Sequence, residues 1–405
     1  MTISAPPPPL DDPSVTDPLE CPPLKWGIIG CGRVSHDFVQ ALKHLPTAAV
    51  VACAARSKDS AHEFATKHNI TKSYGSYDEL LADDDVQCVY VGNVHSFRRV
   101  IGEKCLNANK HTVLEKPFTC NAEDAEYLIN LAKEKNVFLM EGMWTRFFPA
   151  VTQARRLVCG SGEGGDKGIL GQVVSVHSDF NFKASDHEEY PTSFVYNHKL
   201  GGGSSLLVAP YPVAAATLFF EGEMPDRIQA AGQVDKETGV DLQAAVALSF
   251  PPTGTVAPAV DDSIKDEMTP KLPGAGVATL LFGMLGESEE ETVILGTKGR
   301  LTIENPSHCP TKLRLVPKDD GHRAAAAEIS LFEYTLPADT KEIIDAGGYF
   351  YPNSAGFAYE AAAVARCIAA GKTEAPQFNL SETLVSIKII DELRSQLGVK
   401  PVPPP

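Results

Sequence analysis

Residues 25–35 read Lys25-Trp26-Gly27-Ile28-Ile29-Gly30-Cys31-Gly32-Arg33-Val34-Ser35. A short apolar strand runs straight into two glycines. Val34, Phe38, Ala41, Leu42 and Leu45 then recur at helical spacing until Pro46. This is strand, glycine turn, helix. Glycine at position 30 allows a tight turn, and glycine at position 32 lets a pyrophosphate approach the backbone. Ser35 holds the third position and is small enough for close helix–strand packing. Gly30, Gly32, Arg33 and Val34 are the candidate pyrophosphate-binding residues.

The next strand, Ala49 to Ala54, tests which dinucleotide fits. A carboxylate at its end would bind the ribose hydroxyls of NAD. The chain reads Ala55-Arg56-Ser57-Lys58 instead. Two cations and a hydroxyl suit a 2′-phosphate, so NADP is expected, with Arg56 as its partner. The bland alternative is that Arg56 and Lys58 simply open a solvated helix. Val86 to Val91 reads as another buried strand, ending in Gly92-Asn93-Val94-His95-Ser96. In a doubly wound sheet this loop faces the nicotinamide half of the cofactor, so Asn93 and His95 are candidates. A structural loop histidine is the equal alternative for His95.

Thr112-Val113-Leu114-Glu115-Lys116-Pro117-Phe118 ends a strand on a charged pair and a proline that cannot continue a sheet ladder. Lys116 is thereby expected at the carboxyl edge of a parallel sheet, where ligands bind. Asn121 caps a helix, with Asp124 three residues on. Val137 to Glu141 is a further strand and leads into Gly142-Met143-Trp144-Thr145-Arg146-Phe147-Phe148-Pro149. Strand–helix alternation to this point predicts a parallel sheet covered on both faces.

The second half alternates at period two: Gly171–Phe180, Ala244–Phe250, Ala278–Phe282, Glu291–Leu295 and Arg300–Glu304, the last two joined by a turn at Lys298-Gly299. That pattern predicts an α+β unit on a large mixed or antiparallel sheet. Pro251–Gly274, rich in proline and acidic residues, reads as an inserted loop. A last helix runs from about Ser381 to Leu397, with a core-facing stripe from Leu380 to Leu397. The expected fold class is α/β, an N-terminal Rossmann domain followed by the α+β domain. The expected boundaries are a flexible proline-rich tail at 1–24, the dinucleotide domain at 25–148, the substrate and dimerisation domain at 149–398, and a proline-rich tail at 399–405.

The chain's 405 residues exceed one ordinary core. A net charge of −16 opposes a nucleic-acid or anionic-membrane partner, and no apolar run approaches a membrane span. The nine cysteines show no metal or redox spacing, so no metal is expected and a reduced, cytoplasmic location is.

Gly30-Cys31-Gly32, Glu115-Lys116-Pro117, the triple glycine at Gly201 and Gly296-Thr297-Lys298-Gly299 together resemble the Gfo/Idh/MocA oxidoreductases. Met140 to Pro149, Gly356-Phe357-Ala358-Tyr359-Glu360 and Arg366-Cys367 resemble its branch of dimeric dihydrodiol dehydrogenases and fungal NADP-dependent D-xylose 1-dehydrogenases. The resemblance implies hydride transfer between NADP and a hydroxyl or carbonyl carbon of an aldose or trans-dihydrodiol, and a homodimer. It places Glu115 and Lys116 at the cofactor, and Lys116 and Tyr211 in the proton chemistry. Trp144, Arg146, Phe147 and Leu207 fall in the substrate pocket.

Three positions depart from that pattern: Leu207 stands where the family has Asp, Ala209 where it has Gly, and Phe194 near a usual arginine. A leucine side chain can neither bind a substrate hydroxyl nor orient the lysine, which removes a charge-assisted hydrogen bond of about 1.5–3 kcal/mol. The alternative reading is therefore a catalytically altered relative that holds NADP structurally or does non-redox chemistry. Free tyrosine titrates near ~10, and a nearby Lys116 ammonium is expected to favour the Tyr211 phenolate.

Overall fold

The computed structural model describes residues 2–3, 10–12, 14–160, 168–186, 188–251, 276–317 and 329–405. Most of the expected Pro251–Gly274 insertion lies outside them. After a two-residue strand, β1 (Thr2–Ile3), the first domain alternates as read from the sequence. It runs β2 (Leu24–Ile29), α1 (Arg33–Leu42), β3 (Ala48–Ala54), α2 (Lys58–His68), β4 (Lys72–Tyr74), α3 (Tyr77–Leu81) and β5 (Cys88–Val91). It continues with α4 (Arg98–Asn107), β6 (His111–Glu115), α5 (Ala122–Lys135) and β7 (Leu139–Gly142). The six strands β2 to β7 pair in parallel, in the order β4-β3-β2-β5-β6-β7. The order reverses between β2 and β5, so a crevice opens at the carboxyl ends of these two strands.

Period-two alternation sends Ile28, Tyr90, Val113 and Met140 to one face of this sheet, and Ile29, Val89, Leu114 and Leu139 to the other. Both faces are buried. Ser57 and Asn121 cap α2 and α5 by accepting from Ser60 N and Asp124 N, as short polar side chains do for the otherwise unpaired first-turn donors.

The second domain contains α6 (Pro149–Cys159), β8 (Val173–Asn181), α7 (Ser204–Leu207), α8 (Pro210–Phe219), β9 (Arg227–Val234), β10 (Asp241–Phe250) and β11 (Gly276–Gly283). There follow β12 (Thr292–Gly296), β13 (Gly299–Ile303), β14 (Lys312–Pro317), β15 (Ser330–Glu333), α9 (Lys341–Asp345), α10 (Phe357–Ala369) and α11 (Leu380–Leu397). Among the described residues its sheet has nine strands, in the order β1-β15-β14-β13-β12-β8-β11-β10-β9. It is mixed, because β8 pairs in parallel with β11 and antiparallel with β12.

Two features correct the expected boundaries. The last helices return to the first domain: Phe357 of α10 packs edge-on to Phe38 of α1, and Leu380 and Ile387 of α11 join the core beneath β6 and β7. The N-terminal segment is not a free tail throughout either. Asp11 is buried in a bidentate ion pair with Arg366, whose remaining N–H group donates to the carbonyls of Pro18 and Glu20. A buried guanidinium needs such partners, and the segment from Asp11 to Glu20 supplies them. Among the described residues no single helix is long and apolar enough to cross a membrane.

Candidate active site

The glycine turn is built as its residue types require. Gly30 has φ +89°, and a Cβ there would come within 3.0 Å of Asn93 N, so only glycine fits. Gly32 caps α1, and nothing lies within 4 Å of where its Cβ would stand. The space before the helix N-terminus is thus open, and the unpaired first-turn N–H groups point toward it. Ser35 is fully buried, with its hydroxyl against Gly92 at the end of β5. This is the close packing its small side chain allows. Val34 is half-buried against the same glycine. Arg33 reaches across the mouth of the turn to Glu188, 3.7 Å away, and to the ring of Phe350. Arg56 stands exposed directly after β3, with no carboxylate from Ala55 to Lys58. Asn93 turns a buried, unpartnered side-chain oxygen into this region. An open glycine cradle and an exposed cation after β3 fit the phosphates of a dinucleotide, and the Asn93 amide oxygen, an acceptor, fits one of its hydroxyl or N–H donors.

The strand β6 ends at Glu115, and the Lys116–Pro117 peptide after it is cis. The Glu115 carboxylate accepts from Tyr90 Oη at 2.8 Å and from Lys116 N at 2.9 Å. Glu115 is therefore turned into the sheet, beneath the lysine, and not toward the cofactor as expected. The Lys116 side chain goes the other way. Its Nζ donates to the backbone carbonyl of Leu207 at 2.9 Å and lies 4.5 Å above the ring centre of Tyr211. Burial pulls the Lys116 ammonium down to about 8, with the neighbouring Arg98 pulling the same way and Glu115 and Glu141 opposing it. An amine in that range exchanges a proton near neutral pH.

Tyr211 is the second residue of α8, four residues beyond the carboxyl end of α7. Both helices are fixed by the triple-glycine loop. Gly203 takes φ +109°, and a Cβ there would meet the Asp241 carboxylate at 2.6 Å. That carboxylate accepts from Ser204 Oγ, Ser205 N and Ser205 Oγ at 2.6–2.7 Å, and Arg394 closes the cluster. The loop is held because three donors converge on one buried acid, with the Arg394 guanidinium 3.9 Å from it. The Trp144 indole N–H donates to Tyr211 Oη at 3.3 Å, which leaves the phenol's own proton free to be given to another oxygen. The expected phenolate is not favoured. Burial first, and then the charge of Glu115, push Tyr211 well above the usual tyrosine range. The titrating member of the pair is the lysine.

Other candidates move. His95 is buried, with Nδ1 2.9 Å from Gly201 O, so it ties the β5 loop to the triple glycine instead of meeting the cofactor. Arg146 is buried and lines the same cavity as Phe180, Tyr211 and His308. It pairs with Glu382 and donates to Ala214 O and Thr217 Oγ1, pinning α8 to α11. Phe147 faces a crevice beside Pro18, Tyr359 and Arg366 on the far side. Trp144 remains at the site, stacked on Phe357 at 4.3 Å. Phe194 is partly exposed, its ring edge-on to His95. The Leu207 side chain is apolar and buried, yet its main chain performs the lysine-orienting task thought lost with the carboxylate.

Three parts of the site have little signal in the sequence. Arg98 is buried and donates to Pro117 O and to Asn93 O, fastening the loops after β6 and β5 to each other. Phe180, at the end of β8, stacks on His308 at 4.7 Å, and both rings face Tyr211 at 5.1–5.3 Å. The His308 ring is held by Glu290 on Nδ1 and by Cys309 Sγ on Nε2. Phe180 ends a period-two strand, which is a faint clue. His308 lies in an irregular loop and gives none.

Comparison with known proteins agrees with this geometry. Residues 24–143 match the model of an oxidoreductase family with an NAD-binding Rossmann fold, and residues 165–302 match the C-terminal domain of the same family. The trans-1,2-dihydrobenzene-1,2-diol dehydrogenase of Danio rerio is 34% identical over 93% of this chain and 97% of its own length. The human protein of that name is 32% identical over the same shares. Among solved structures, a 3-ketoreductase from Actinomadura kijaniata in complex with NADP and TDP-benzene superposes with a TM-score of 0.70 at 22% identity, over 92% of this chain and 98% of that one. A levoglucosan dehydrogenase in complex with NADH and levoglucosan gives 0.73 at 17% identity, over 93% and 97%. At these identities the two structures speak for the fold.

Proposed function

This chain belongs to the Gfo/Idh/MocA oxidoreductases, and from that premise we propose that it is an NADP-dependent enzyme interconverting a hydroxyl and a carbonyl on a small cyclic substrate, with Lys116 and Tyr211 moving the proton. The observation that carries the reading is the placement of Lys116 Nζ between Leu207 O and the ring of Tyr211 at the carboxyl edge of the parallel sheet. When bound, the cofactor supplies the hydride acceptor or donor. Gly30, Gly32, Arg33, Val34 and Asn93 would hold its pyrophosphate and ribose side, and Arg56 its 2′-phosphate.

The protein's own groups account for the proton. Tyr211 stays protonated and, with the Trp144 N–H already on its oxygen, gives its O–H to the substrate oxygen and fixes it. In the oxidising direction the neutral amine of Lys116 accepts the proton released from the hydroxyl. In the reducing direction the ammonium returns it. Glu115 and Arg98 do not touch the reacting atoms; one sets the field beneath Lys116, and the other holds the loops in place.

Between the two substrate classes of the resembled branch, the pocket supports the dihydrodiol. Phe180, His308, Trp144 and Leu207 present rings and a methyl-rich side chain, and the one carboxylate among the described lining residues, Asp179, is already taken by the backbone N–H groups of Glu290 and Glu291. The second reading, a relative that no longer does redox chemistry, rests on Leu207 and Phe194. The Leu207 carbonyl's hold on Lys116 weighs against it.

Ala245, Ala247, Val277 and Leu281 alternate onto the solvent face of the nine-stranded sheet, a flat surface suited to a second copy of the chain. We take the enzyme to be a homodimer through that face. Titration with NADPH and NADH, followed by a panel of trans-dihydrodiols and aldoses with wild type and Lys116→Met, tests the proposal. Selective NADPH binding with turnover lost in the variant is expected. Absence of binding to either nucleotide refutes it.

A further inference from the structure

The proton chemistry leaves unused the phenol of Tyr90, near the carboxyl end of β5. Tyr90 is fully buried. It pairs in register with Val113 of β6, so Glu115, two residues on, shares its face of the sheet. The sheet thus brings phenol and carboxylate together, and Tyr90 Oη donates to Glu115 Oε1 at 2.8 Å. The other carboxylate oxygen, Oε2, accepts from Lys116 N at 2.9 Å. Phe38 of α1 stacks on the Tyr90 ring, with centroids 3.8 Å apart and planes 9° from parallel. A side chain of the cofactor helix fixes the phenol, the phenol fixes the carboxylate, and the carboxylate fixes the main chain that carries Lys116. Burial, and then the charges of Glu115 and Glu360, hold the phenol well above the usual tyrosine range, so it remains a donor.

We propose that Tyr90 is a positioning residue for the hydroxyl–carbonyl interconversion: its hydroxyl keeps Glu115 ionised beneath Lys116, and the ionised carboxylate keeps the amine able to hold a proton. Tyr90 touches no reacting atom and acts through Glu115. The proposal rests on the reading of Lys116 given above.

The direction of the effect follows from the surroundings of the two groups. Burial raises the Glu115 carboxyl, and Arg98, Lys116 and the Tyr90 hydrogen bond oppose it. Without the hydroxyl, the carboxyl keeps its proton to higher pH, and the negative charge beneath Lys116 fades. Burial already pulls Lys116 down to about 8, and Glu115 is the foremost of the groups that hold it up. Losing that charge lets the lysine fall further. The freed carboxylate does not swing to Nζ instead, because Glu115 is turned into the sheet while the Lys116 side chain leaves the other way, to Leu207 O. Lys116 is also faced by Arg98 from α4, Glu141 from β7, His95 from the loop after β5 and Tyr211 from α8. Glu115 is also faced by Glu360 from α10 and by Tyr351 before it. Replacing Tyr90 with phenylalanine alters none of these and keeps a ring on Phe38.

The rate at which acetic anhydride labels Lys116 in the full-length protein, followed across pH and mapped by mass, reads the proton on Nζ without cofactor or substrate. Wild type is expected to titrate near 8 and Tyr90→Phe about one unit lower, the low end of what one neighbouring charge supplies. Glu115→Gln gives the same fall, and Tyr90→Phe added to it gives no further one, because both changes remove the same charge. The midpoint of dihydrodiol oxidation moves with the labelling midpoint, and NADPH affinity stays at the wild-type value. A labelling midpoint that is unmoved or raised in Tyr90→Phe overturns the proposal, as does a further full fall in the double variant. A Tyr90→Phe protein that melts earlier yet titrates as wild type has lost packing only, and that result overturns it too. Absence of turnover in both proteins refutes the reaction assigned to Lys116, while the labelling curves still report the action of Tyr90.

Discussion

Replacing Glu360 with glutamine changes how stability responds to pH. Glu360 lies on α10, is fully buried, and neither carboxylate oxygen has a hydrogen-bond partner among the described residues. Burial, and then the charges of Glu115 and Glu141, hold this carboxyl well above the usual range. The sign follows from linkage. The unfolded chain releases the proton at the ordinary value of 4.5, whereas the folded protein retains it. Stability associated with this group is complete below the unfolded value and is lost as pH rises toward the folded one, at about 1.4 kcal/mol per pH unit. Gln has no proton to exchange. The stability of Glu360→Gln relative to wild type therefore improves as pH rises above the unfolded value, by about 1.4 kcal/mol per pH unit for as long as the folded carboxyl keeps its proton. Burying an amide without partners adds an offset of about 1–3 kcal/mol against the variant, equal at every pH. Urea titrations of both proteins at a series of pH values above the unfolded one, followed by tryptophan emission, isolate the pH-dependent part. A difference that does not change with pH would refute the reasoning, because it would mean that Glu360 ionises in the folded protein as it does in water.

The remaining predictions concern the site. Dihydrodiol oxidation should rise with pH and level off above about 8, the range of Lys116, while carbonyl reduction falls over the same interval. Pre-steady-state rates across pH read this, and a profile flat through that range would exclude the lysine as the proton acceptor. Lys116→Met should keep NADPH affinity but lose about 10²–10⁴ in kcat. Arg98→Met strips the donors from Pro117 O and Asn93 O and leaves Glu115 and Glu141 without their cation. It should cost about 3–5 kcal/mol in a denaturation curve and weaken NADPH binding, and an unchanged midpoint would contradict this. Arg56→Ala should weaken NADPH by about 1.5–3 kcal/mol and leave NADH unaffected, read by nicotinamide fluorescence.

What the sequence reveals and conceals divides along physical lines. Gly30, Gly32 and Ser35 are legible because their tasks are local: a positive φ, an open approach and a small side chain, each tied to its place between strand and helix. The six parallel strands and the period-two second half are legible because each element buries a periodic face. The role of Leu207 is invisible, because its functional atom is a main-chain carbonyl that any residue carries. Arg98, Asp241 and the Glu290–His308 pair escape notice because each meets partners on separate segments, and so does the pairing of Arg146 with Glu382, which lies 236 positions away. Tyr211 was expected from the family resemblance, whose pattern sets an acid–base residue after the triple glycine. The direction of its titration was not, since that depends on burial, which spacing does not report.

The hold of the Leu207 carbonyl on Lys116 has a consequence for how this enzyme can diversify. A lysine steered by a side chain is lost with the first mutation of that side chain. A lysine steered by the backbone survives every substitution that leaves the α7 turn intact, so position 207 is free to follow the substrate. The residue that would otherwise be the most constrained in the pocket becomes its most permissive, and libraries randomised there should yield altered selectivity with the proton machinery preserved.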